Sequence, residues 1–136
     1  MGLKLRPQCV VDAQFSIYFQ VAVAWLHGNA DWESYRLIGD PRIEAFAQNV
    51  FVVPDATLPL NAAIVRVEGM PEMRVDYPLG EPENPLAWEH IHAKFVSLAK
   101  HAFEQPTRGE IASSVRMLDN IPSMTSFVRL LRGNMA

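Results

Sequence analysis

From Ile17 to Leu26 the chain reads I-Y-F-Q-V-A-V-A-W-L, an apolar and aromatic run interrupted only by Gln20. No solvent-facing stripe can be drawn on a helix of this composition, so the run predicts a helix buried on all sides. It is too short to cross a bilayer, which takes about 20 apolar residues. Ser16 stands where an N-cap belongs, and Gly28 where a helix stops. The expected helix therefore covers residues 16–27, with Asp12, Gln14 and Ser16 crowded at its entrance. Burying such an element requires a substantial core. A chain that is 49% hydrophobic and only 20% charged can build one.

The remaining composition excludes several classes of partner. A net charge of -3 over 136 residues provides no basic footprint for nucleic acid. No run of Lys or Arg exists to dock on an anionic membrane, and no segment has the length of a membrane span or the pattern of a secretory signal. Cys9 is the only cysteine and cannot form an internal disulfide, which fits a reducing compartment; the expectation is a cytoplasmic protein.

Along the chain, residues 1–12 read as an extended lead-in, because Pro7 pushes Arg6 out of helical geometry. Asp31–Leu37 predicts a turn or two of helix. Asp40-Pro41 is a start signal, Asp as cap and Pro at the first helical position, for a short helix that buries Ile43, Phe46 and Ala47. The period then changes to two. Val50–Val53, Ala62–Glu68 and Met73–Tyr77 predict three short strands, with Gly69–Glu72 as a hairpin turn. In that register Arg66 and Glu68 face Asp76 and Arg74. Asn84-Pro85 predicts the start of the longest helix, whose Trp88, Ile91, Phe95, Leu98 and Ala102 form one apolar stripe. Thr107–Glu110 reads as the capping box of a further helix, and a last helix places Met124, Phe127, Val128 and Leu131 on one face. The fold class is α+β: a small antiparallel sheet of about three strands packed with helices. Such a sheet cannot cover helix 16–27 alone, so part of the covering surface is expected to come from elsewhere.

Motifs for chemistry are sparse. His90 and His92 point to nearly opposite sides of a helix, while His90 and His101 lie about 16 Å apart along it, so no metal site is expected. There is no Gly-rich phosphate loop and no nucleophile elbow. Lone Cys9 reads as a small apolar filler. Asp12, Gln14, Ser16 and Tyr18 form the one polar cluster, and on spacing alone Ser16 is a cap.

The stretch D-A-Q-F-S-I-Y-F-Q-V-A-V-A-W-L-H-G, Asp12 to Gly28, resembles a signature of the MmgE/PrpD family. Further resemblances follow in the family's order: Asp40-Pro41; Arg74–Leu86, which is similar to its V-x-x-P-x-G-x-P-x-x-P-L stretch; and Lys94-Phe95 on the next helix. They span essentially the whole chain. Family members have a large helical domain and a smaller α+β lid, with the active site between them. They include 2-methylcitrate dehydratase, cis-aconitate decarboxylase and iminodisuccinate epimerase, all acting on small polycarboxylates.

The resemblance implies that this chain is the C-terminal portion only. Residues 1–104 would be a partial lid, and residues 105–136 would be helices packing on the helical domain. The implied function is that of a lyase or isomerase acting on polycarboxylates, inactive without the helical domain; the alternative is a non-catalytic binding or oligomerisation module. No cofactor is implied. Implied partners are a polycarboxylate substrate, the helical domain, and further copies of the chain. Gln14, Ser16 and Tyr18 would bind substrate, and no catalytic residue is assigned. Where the family motif runs F-S-x-P-Y, this chain has Phe15, Ser16, Ile17, Tyr18 and Phe19, so Tyr18 replaces a proline and Phe19 a tyrosine. Lys94 matches a family lysine and reads as solvated or salt-bridged.

Overall fold

A computed structural model describes residues 5–132 of the chain, which divide into two compact units meeting between Ala56 and Thr57. The organisation is α+β and rich in helix, as the residue pattern predicts.

The first unit is helical. Val10–Gln14 forms α1, where an extended lead-in was expected. Two contacts hold the chain at this entrance. The Gln8 amide donates to Asp12 Oδ2 at 3.3 Å, and Arg6 Nε pairs with Glu44 Oε2 at 3.1 Å. The long apolar run becomes α2, Ile17–His27. Its N-cap is Ser16, whose Oγ accepts from the Phe19 amide at 3.2 Å, and its C-terminal stop is Gly28 at φ 82°. Only glycine reaches that left-handed conformation without strain, and the Gly28 amide closes on the Ala24 carbonyl at 2.9 Å.

Tyr18, Phe19, Ala22 and Val23 are the covered side of α2 and join Ala13, Ile43 and Ala47 in one core cluster. Residues 32–37 wind as a 3₁₀ helix under a capping box in which Asp31 and Ser34 satisfy each other's backbone amides. This turn brings Tyr35 against Phe19, with ring centroids 6.4 Å apart. The Asp40-Pro41 signal operates as expected: α3 is Pro41–Ala47, and it lies against α2 through Ile43 and Ala47 and through Trp25 stacked on Phe46 at 5.8 Å.

Asp40 caps α3 and also holds the Arg42 guanidinium at 2.8 Å. Hydrogen bonding to Arg42, side chain first and amide second, lowers the Asp40 carboxyl from 3.8 to about 2. A carboxyl depressed on folding stabilises above its unfolded value and loses that contribution as pH falls through the folded one. Stability should therefore drop between about pH 4 and pH 2. Asp40→Asn is expected to be less stable than the parent at pH 6 and to converge with it near pH 2, as read by urea unfolding at several pH values.

The prediction of all-round burial for α2 is corrected. Ile17 is 52% exposed, and Trp25 and Leu26 are nearly half exposed. The described residues of this unit cover one side of the helix and leave the other apolar side in water.

The second unit carries the sheet. Ala63–Val65 (β1) and Met73–Val75 (β2) pair antiparallel, with Ala63 opposite Val75 and Val65 opposite Met73. The sheet thus has two described strands, not three. Val50–Val53 forms no strand despite its β-branched residues; Phe51 is 82% exposed and Val53 is similarly open. Propensity for a pleated surface is expressed only where a neighbour supplies hydrogen bonds and packing.

The hairpin register also differs from the expected one. Gly69, at φ 77°, takes the left-handed turn position, and the Met70 amide closes on the Val67 carbonyl at 3.0 Å. The turn is centred on that glycine and not on Pro71, so Arg66 meets Glu72 at 2.6 Å while Arg74 turns to Asp76 on its own strand. Asn84 does not cap the long helix. Its side chain donates to the Tyr77 carbonyl at 3.0 Å and its own carbonyl accepts from the Gly80 amide, which folds the proline-rich loop on itself.

The long helix α4 then runs Trp88–Ala99 from Ala87. Its covered side is Trp88, Phe95, Val96 and Ala99, rotated from the expected stripe, which leaves Ile91, Leu98 and Ala102 exposed. Helix α5, Gln105–Arg116, begins before Thr107, with Pro106 in its first turn. Two long-range contacts tie α5 to α4: Arg108 Nη1 donates to the Val96 carbonyl at 3.2 Å, and the Arg116 guanidinium lies 5.6 Å from the Trp88 ring centre. Helix α6 is Met124–Leu131. Among the described residues no helix is long and apolar enough to cross a membrane.

Candidate functional site

The corner between α1 and α2 is where the sequence concentrates polar groups, and the structure shows what each one does. The chain turns sharply at Phe15–Ser16. The Ser16 amide reaches the Ala13 carbonyl at 3.2 Å, and Ser16 then takes extended angles to open α2. Gln20, the sole interruption in the apolar run, reaches back seven residues and donates its Nε2 to the same Ala13 carbonyl at 3.0 Å. A buried carbonyl at the end of a helix needs such partners. Gln20 was not singled out from sequence; its isolation within an apolar run was the available signal, since a polar group there must find a hydrogen bond.

Of the three residues expected to bind substrate, Ser16 and Tyr18 are buried and Gln14 is exposed. Ser16 is 2% exposed and its oxygen is engaged as the cap. Tyr18 lies within the core cluster. Gln14, the last residue of α1, stands at the surface among Val11, Phe15 and Ile17, all apolar and exposed. Asp12, the fourth member of the cluster, accepts from the Gln8 amide. Phe19 is 1% exposed and packs inward against Tyr35.

Beside the Asp12 carboxylate, which the Gln8 amide engages, the chemistry available at this corner is hydrogen bonding by the neutral Gln14 amide next to exposed apolar side chains. An amide can recognise a carboxylate, but neither it nor a serine hydroxyl serves as a base near neutral pH. Ser16→Ala separates scaffold from ligand contact. Leaving the buried Phe19 amide without its acceptor should cost about 1–2 kcal/mol of stability, read by denaturant unfolding, before any ligand is added.

Elsewhere, the four histidines are exposed, and His92 stacks on Trp88 at 6.4 Å. Lys94 is exposed on α4 and Cys9 is exposed ahead of α1. Among the described residues no three His, Cys, Asp or Glu side chains come together as metal ligands would.

No curated protein and no solved structure matches the chain. One family model does, that of the MmgE/PrpD C-terminal domain, over residues 1–120.

Proposed function

The chain belongs to the MmgE/PrpD family, as its C-terminal domain, and on that premise we propose that it is the lid portion of a lyase or isomerase of small polycarboxylates, completed by a helical domain. The observation that carries this reading is the outer side of α2. Ile17 at the start of α2, with Phe15 and Val11 shortly before it in the chain, is apolar and exposed at the corner where Gln14 also lies. Contiguous apolar surface of this kind marks a place where something docks.

In this reading the covering domain closes over the α1–α2 corner, and the substrate lies between them. Gln14 hydrogen-bonds a substrate carboxylate, while Ser16 and Tyr18 hold the corner that presents it. A dehydratase breaks a C–H bond next to a carboxylate and a C–O bond on the neighbouring carbon, which calls for a base and an acid. The corner contains neither among its substrate-facing groups, so the helical domain provides both. The reaction closest to the proposal is dehydration of 2-methylcitrate, without a cofactor. The lone cysteine supports a cytoplasmic location.

The test is turnover of 2-methylcitrate, followed by absorbance of the unsaturated product. The 136 residues alone should be inactive, and activity should appear when the helical domain is supplied in the same chain or as a second one. Turnover by the 136 residues alone would overturn the dependence on that domain. A completed protein that turns over no polycarboxylate would favour the second reading, a binding or assembly module. The same uncovered apolar surface recommends that reading, and concentration-dependent association in sedimentation would be its signature.

A further inference from the structure

No further inference is drawn: the strongest candidate, the half-exposed apolar side of α6 formed by Met124, Val128 and Leu131 beyond the family-matched residues and accompanied by Arg129 and Arg132, is an unpartnered helix face, and nothing in the structure shows what covers it.

Discussion

Phe19→Ala is expected to unfold the first compact unit. Phe19 is 1% exposed, is among the largest side chains so fully covered, and stacks on Tyr35. Truncating a buried phenylalanine costs about 3–5 kcal/mol, because the transfer energy of the ring is lost and a cavity remains. A core of this size rarely has more than about 3–5 kcal/mol in hand. The loss therefore equals or exceeds the margin. Helical circular dichroism should fall by the share that α1, α2 and α3 contribute, and hydrogen exchange should show loss of protection before Ala56. A variant that keeps native protection in α2 would show that the cluster around Phe19 is not what holds this unit together. Phe19→Leu, which conserves most of the apolar volume, should recover a large part of the stability.

Ile17→Asp should behave in the opposite way: harmless to the isolated chain and severe once a covering domain is present. Ile17 is 52% exposed and is the first residue of α2. A carboxylate there is favoured by the helix dipole, so the unfolding midpoint of the isolated chain should hardly move. Covered by another domain, the same carboxylate would be desolvated without a partner, at a cost of several kcal/mol. A loss of about 3 kcal/mol weakens association roughly a hundredfold. The comparison is between titrations of the parent and the variant with the separately produced helical domain, alongside their unfolding curves without it. Equal affinities would remove the outer side of α2 from the docking surface and with it the main support for the proposed function. Exposed positions in the other unit, such as Leu60 at 99%, provide controls for a general effect of added charge.

The local signals of the first unit survived in the structure because neighbouring residues along the chain satisfy them, whereas the caps expected at Asn84 and Thr107 in the second unit did not form. Ser16 caps α2 and Gly28 ends it, Asp40-Pro41 starts α3, and Asp31 opens the turn that follows α2, because each needs only an amide or a left-handed residue within a few positions. The inward set Ile43, Phe46 and Ala47 followed from the 3.6-residue period alone. The family was legible too, since the residues quoted from Asp12 to Phe95 fall inside the matched span.

Signals that depend on a partner element translated only in part: the Ala63–Val65 and Met73–Val75 strands pair, in a register other than the expected one. Val50–Val53 has the composition of a strand and no ladder to join, while the Arg66 and Arg74 ion pairs follow a turn centre chosen by Gly69. The polar cluster at the α1–α2 corner divides for the same reason. Asp12, Gln14, Ser16 and Tyr18 look equivalent as a string. Packing alone turns Tyr18 into the core, commits Ser16 to a backbone amide and leaves Gln14 facing solvent.

What the sequence determined by itself is the family, the α+β class, and the caps that bound α2 and α3, because these rest on motif order, periodicity and hydrogen bonds between near neighbours. The tertiary structure alone decided which side of the apolar helix is covered, which strands pair, and which polar residues of the corner are buried and which face solvent. Those outcomes depend on which distant groups compete for the same buried space and the same backbone donors, and no local pattern records that competition.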